Sequence, residues 1–228
     1  MASCTNQVAQ DTIKLTLLKP DNLTKMVNTI SSCNNTVIFI PLLKLTLPLY
    51  ATAEIPEIHW RFGAVDAMYA RLDSGLLPKD EVHIYKSLLY LGIFHLKTQL
   101  FCQEKQIASK ALVFLNPLSI NIIIREVKNL WRILLDFFVT TEALLHNSQF
   151  IGTIVHILPH IQEAVKREAL LMLEHMIADN AQVTMTYANQ ILTTITPWMK
   201  TNNMEDQVLI IKVILCTVRF LKPSLRGA

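Results

Sequence analysis

The sequence predicts an all-α protein of stacked antiparallel helices, and three observations carry that prediction. Apolar residues recur at helical rather than alternating spacing along nearly the whole chain. Only 5 of the 228 residues are glycine, too few for folds built on tight hairpins or Gly-rich phosphate loops. The breaks between helical segments are a few residues long, which makes consecutive helices antiparallel neighbours. With 51% apolar residues the chain can bury a sizeable core, and with no linker-like stretch it reads as one all-helical domain over residues 1–228.

Leu23, Met26, Val27 and Ile30 fall at i, i+3, i+4, i+7 behind Asp21, so a helix is expected over 22–33 with Asp21 as N-cap. Pro41 and Pro48 interrupt the next run, 36–53, which is expected to be broken helix. After Pro56, the residues Ile58, Phe62, Val65, Met68 and Leu72 line one face of a single helix that Asp73-Ser74-Gly75 stops. Asp80 opens a long segment through Phe101, with Val82, Tyr85, Leu88, Leu89 and Leu96 inward. A shorter helix near 104–115 ends at Asn116-Pro117. Residues 119–138 carry the face Ile124, Val127, Trp131, Leu134, Leu135 and Phe138. A short piece at 141–146 follows, then helices over 148–158, from Pro159 to Ala178, and over about 182–199 and 204–221. The whole amounts to about nine or ten helices.

The segment 160–178 has more apolar surface than one stripe. Ile161, Val165, Ala169, Met172 and Met176 make a row, and Leu170, Leu171, Leu173 and Ile177 widen it, so neighbours are expected on more than one side. Within this segment Val165-Lys166-Arg167-Glu168-Ala169, followed by Leu173 and by Asp179-Asn180, resembles the basic, Ala-containing, Leu-bearing helix of armadillo and HEAT repeats. Helix starts after Pro117, after Pro159 and near Asn180 are about 42 and then 21 residues apart, compatible with the roughly 40–47-residue period of those repeats. Residues 118–221 are the most repeat-like. The copies lack strong self-similarity, and the helix-breaking glycines of armadillo repeats are mostly missing. The resemblance implies an armadillo/HEAT-like solenoid, or else an irregular helical bundle, that binds other proteins.

Composition narrows the function classes. There are 21 Lys+Arg against 18 Asp+Glu, a net charge of +3, and a pI near 8.6, short of the pI above about 9 that marks a nucleic-acid binder. Only 17% of residues are charged and mean hydropathy is +0.34, which predicts that some apolar surface meets a partner. Cys4, Cys33, Cys102 and Cys216 lie far apart without a CxxC pair, and the first residues lack the pattern of a secretory signal. An intracellular home, cytoplasmic or nuclear, is expected, with the sequons at Asn22 and Asn34 accidental. Two charge-free windows, 143–162 and 180–199, reach the ~20 residues of a membrane span. Each is interrupted by His, Asn, Gln, Thr or Pro, and a soluble protein with no transmembrane segment is expected.

No catalytic, cofactor or metal site is predicted. His156 and His160 stand four apart near His146, but an HExxH glutamate is absent and Pro159 lies between them. The cysteines have no adjacent base, and GxSxG, P-loop and GxGxxG motifs are absent. Asp80-Glu81 and Glu205-Asp206 fall at helix starts, where the macrodipole favours negative charge. Two partner-binding surfaces are predicted instead. Arg125, Lys128 and Arg132 at i, i+3, i+7 make a basic ridge suited to an acidic peptide or phosphate, partly compensated by Glu126 and Asp136. The segment 204–221 is apolar nearly all round, so its outer side is covered by the chain itself, a second copy, a partner, or further repeats of a longer polypeptide. Leu209 and Val213 are taken as its binding residues.

The expected function is therefore that of a non-enzymatic scaffold or adaptor that docks a partner helix or segment and needs no cofactor. One alternative is an apolar-ligand-binding helical domain. Asp206-Gln207-Val208 with Ile210-Ile211-Lys212 resembles part of the nuclear-receptor ligand-binding signature, although that family carries the motif mid-domain with more helices after it.

Overall fold

The computed structural model describes residues 16, 19–33, 35–47, 54–116, 122–141, 144, 147–178 and 180–221. Among these there are twelve α-helices and no strand. The chain divides into two compact units, Met1–Ile107 and Ala108–Ala228.

The first unit contains α1 (Pro20–Ser32), α2 (Thr36–Thr46), α3 (Glu54–Arg61), α4 (Ala64–Ala70), α5 (Pro78–Phe94) and α6 (Leu96–Glu104). Pro20, not Asp21, opens α1, with Lys19 as N-cap. Proline costs nothing at the first helical position because its missing N–H would have no intrahelical partner. Helix α2 runs unbroken through Pro41. The carbonyl that loses its donor there is that of Val37, on an exposed turn of the helix, where solvent can reach a backbone group that has lost its intrahelical partner. Pro48 lies outside the described residues.

The single helix expected after Pro56 is two. Gly63 has φ +70°, a left-handed conformation that side-chain-bearing residues rarely adopt, and it separates α3 from α4. Phe62, expected inward, is exposed beside it. Gly75, with φ +71°, stops the following 3-10 turn Arg71–Asp73 as expected. A second unexpected break falls at His95, whose backbone is extended and whose Nδ1 accepts from the Thr98 amide at 3.3 Å. This restart turns Leu96, expected inward, to the exposed side.

Helix α5 is the centre of the unit. Every residue from Val82 to Leu89 is buried, and α2, α3, α4 and α6 all pack on it. His59 on α3 is fully buried, with Nδ1 2.9 Å from the Ile55 carbonyl oxygen, to which it donates.

The short α7 (Ile107–Ala111) and a 3-10 turn (Leu112–Leu115) lead into the second unit. It continues with α8 (Ile124–Thr140), α9 (Ser148–Ile157), α10 (Lys166–Ala178), α11 (Ala181–Ile195) and α12 (Met204–Leu221). Pro117 and His146 lie outside the described residues, as does most of 141–146. Side-chain caps set two of the starts. The Asn147 oxygen accepts from the Phe150 amide at 2.9 Å, and that of Asn180 accepts from the Val183 amide at 3.1 Å. Pro159 sits in a 3-10 turn, Leu158–His160, so the helix expected directly after it begins only at Lys166. Helix α10 buries Glu168, Ala169, Leu170, Met172, Leu173, Met176 and Ile177 and packs on α8, α11 and α12, which is the many-sided burial that its apolar excess predicts. Where α9 meets α11, a Cβ on Gly152 would lie 2.6 Å from the Tyr187 hydroxyl, so glycine keeps that approach open.

Burial lowers the pKa of His59 to about 4, because charging the ring would cost its hydration. The unfolded chain takes up a proton near pH 6.5 while the folded chain does not. The His59 contribution is therefore intact above about pH 6.5 and is lost as pH falls toward 4, to a depth of about 3 kcal/mol. Urea unfolding between pH 7 and pH 4.5 measures it, and in His59→Leu that part of the pH dependence disappears.

Candidate functional site

Helix α12 is built to be held by one side. Asn203 precedes it and its side-chain oxygen accepts from the Glu205 amide at 3.0 Å, while Gln207 Nε2 donates to the Thr201 carbonyl at 2.7 Å. Glu205 and Asp206 fill the first turn, where the helix dipole favours negative charge. Both engage Arg167 of α10, at 2.8 Å and 2.9 Å, and Lys212 lies 3.6 Å from Glu174 of the same helix. These pairs contribute little stability, about 0–1 kcal/mol each, and they lie alongside the apolar contact that orients α12 on α10.

That rotation decides which side chains a partner can reach. Leu209, Ile210, Val213 and Thr217 are buried against α10 and α11. Leu209 and Val213, expected to meet a partner, are thus core residues of the unit: they lie on the side of α12 that packs on α10 and α11. The outward stripe is Met204, Val208, Ile211 and Leu215, with relative exposures of 73%, 48%, 43% and 63%. These four recur one helical turn apart and form a continuous apolar face.

The basic ridge lies on α8, whose opposite face buries Leu130, Trp131, Ile133, Leu134, Phe137 and Phe138. Arg125 is exposed and 3.5 Å from the Glu126 carboxylate. Lys128 Nζ and Arg132 Nη2 approach one oxygen of Glu168, at 3.4 Å and 3.0 Å, and Arg132 Nε donates to the same oxygen at 3.1 Å. Glu168 comes from α10 and is itself buried. The three cations do share a face as expected, but Lys128 and Arg132 are committed to holding a buried carboxylate. The Glu168 contact joins residues 36 positions apart in sequence, so the local i, i+4 search that suggested Asp136 could not find it.

His156 and His160 fall on different elements, α9 and the 3-10 turn after it, and His156 Nδ1 is 3.3 Å from Gln190 Nε2. Among the described residues no group of three or more His, Cys, Asp and Glu side chains converges as a metal site would require. The first unit carries an aromatic cluster that no sequence signal announced. The Trp60 ring lies 5.9 Å from His95 and 6.3 Å from Phe101, and Phe101 meets Tyr69 edge-on at 5.5 Å. His95 Nε2 is 2.7 Å from the Glu57 carboxylate, so this cluster ties α3, α4 and α6 together.

The fold resembles solved structures. An engineered protein, a Northeast Structural Genomics Consortium target solved by crystallography, matches with a TM-score of 0.69 and 11% identity, over 91% of this chain and 83% of that one. A second engineered target of the same consortium matches at 0.65 and 12% identity, over 86% of this chain and 47% of that one. At such identities the likeness shows fold alone: the chain shares an all-α architecture of packed helices with these engineered proteins. No protein-family model and no curated protein matches the sequence.

Because Glu168 is buried, removing its strongest partner leaves a poorly compensated charge. Arg132→Ala is expected to destabilise the protein by about 2 kcal/mol, more than Lys128→Ala. The double change Arg132→Ala with Glu168→Leu recovers most of that loss, as read from urea midpoints.

Proposed function

We propose that this chain is a non-enzymatic, intracellular protein-binding scaffold, and that an amphipathic helix of a partner docks on the outer face of α12. The observation that carries the reading is the stripe Met204, Val208, Ile211 and Leu215, four large apolar side chains left in contact with water on a helix whose opposite side is already packed. Covering such a face is favourable by roughly 25 cal/mol per Å² of apolar area. Helix-in-groove recognition uses side chains at this spacing as anchors. The ridge at Arg125, Lys128 and Arg132 supports docking less strongly, because Glu126 and Glu168 occupy its charges; it would add steering toward an acidic partner.

The apolar-ligand reading finds less support. A small crevice lined by Phe114, Leu115, Ile124, Val127, Gln162 and Val165 has a volume of about 20 Å³, room for about one water rather than a lipid. A larger cavity of about 300 Å³ is lined by Ser148, Asn180, Gln182, Val183, Thr186 and Tyr187, mostly polar groups that would not attract an apolar ligand. The sequence stretch that resembles the nuclear-receptor signature lies on α12, with Asp206 engaged by Arg167.

Affinity purification from cells, run beside a variant carrying Val208→Asp and Leu215→Asp, tests the reading. A near-stoichiometric protein partner is expected with the unchanged chain and is lost with the variant, whose helicity by circular dichroism stays the same. Recovery of an extractable lipid or steroid, with no protein partner, would contradict it.

A further inference from the structure

We propose that the outer stripe of α12 pairs with the same stripe of a second copy of this chain, the two helices running antiparallel. The inference rests on the reading of this stripe as a docking face and names its occupant. Positions 204, 208, 211 and 215 advance by alternating steps of four and three, the spacing of a coiled-coil seam. Residues 205, 212 and 219 follow the seam along one edge as Glu, Lys and Arg.

In an antiparallel pair the numbers of facing residues have a constant sum. The register that sets Val208 against Ile211 of the second copy also sets Met204 against Leu215, so all four exposed apolar side chains are covered. On the flanking edge it brings Glu205 of each copy beside Lys212 of the other, two unlike-charge contacts related by the two-fold axis. The competing arrangements do less. Sliding the pair by one heptad in one direction leaves Met204, the most exposed of the four, uncovered and faces Lys212 with Lys212; in the other direction it leaves Ile211 and Leu215 uncovered and faces Glu205 with Glu205. Parallel pairing sets Gln207 beside Lys212 and leaves Glu205 unmatched. Within the chain Glu205 lies 2.8 Å from Arg167 and Lys212 lies 3.6 Å from Glu174, so the contacts across the two-fold axis add to these pairs, and the apolar seam supplies most of the affinity. A face that complements itself in shape and charge under a two-fold rotation is the kind a closed homodimer uses.

The test is the molar mass of the full chain in solution, by sedimentation equilibrium and light scattering across a dilution series. The unchanged chain is expected at twice its 26.0 kDa mass. Ile211→Glu, at an exposed position, should raise the dimer dissociation constant at least about thirtyfold while circular dichroism and thermal midpoint at low concentration stay the same. Lys212→Glu alone should weaken pairing, and adding Glu205→Lys should restore it, which reads the antiparallel register. A chain that is monomeric throughout the series, or a dimer indifferent to Ile211→Glu, would overturn the proposal. If the monomeric chain still captures a different helix through a contact that Ile211→Glu abolishes, self-pairing fails and the docking reading stands. If it captures none, both fail.

Discussion

A helix that is apolar around most of its circumference needs neighbours on several sides, and each unit of this protein is organised by that need. In the first unit the helix is α5, with an unbroken buried run from Val82 to Leu89 and four helices against it. In the second it is α10, enclosed by α8, α11 and α12. Burial of this kind is the main favourable term in folding, and here it fixes the order in which the surrounding helices stack. One polar group caught in these centres draws partners from a neighbouring helix: Glu168, buried on α10, brings Lys128 and Arg132 of α8 to one of its oxygens.

The same constraint distributes the functional surfaces. A helix that encloses α10 has an inner side, set by the apolar contact, and an outer side that the contact leaves open. On α8 the open side is charged and partly used up by Glu168. On α12 the open side is apolar. Surface ion pairs contribute about 0–1 kcal/mol, whereas burying one Leu or Ile side chain contributes about 1.5–3 kcal/mol. The outer side of α12 therefore has more free energy to gain from a partner than the ridge does.

Much of this was legible in the sequence, and what was not has physical causes. Helical periodicity gave the all-α class and the span of α12, and the apolar excess around Leu170 and Leu173 foretold the many-sided burial of α10. Periodicity cannot see a single residue that takes a special conformation, so the breaks at Gly63 and His95 were missed and two expected helices each became two. It also cannot rotate a helix that is apolar all round. On α12 every face offered Val, Ile or Leu, and only the long-range packing on α10 and α11, with the pairs to Arg167 and Glu174 beside it, shows that Leu209 and Val213 turn inward while Val208 and Leu215 turn out. The partner of Arg132 was hidden for the same reason, since it comes from another helix.

The central claim is that α12 has one structural face and one free face, and two neighbouring positions separate them. Urea unfolding of Val213→Asp and Leu215→Asp, at concentrations dilute enough for the chain to be monomeric, tests it most directly. Val213 is fully buried, and a carboxylate there is expected to cost several kcal/mol. At position 215 the same change is expected to stay within about 0.5 kcal/mol of the unchanged chain. Equal losses at the two positions, or the larger loss at 215, would contradict the orientation of α12 and with it the docking face.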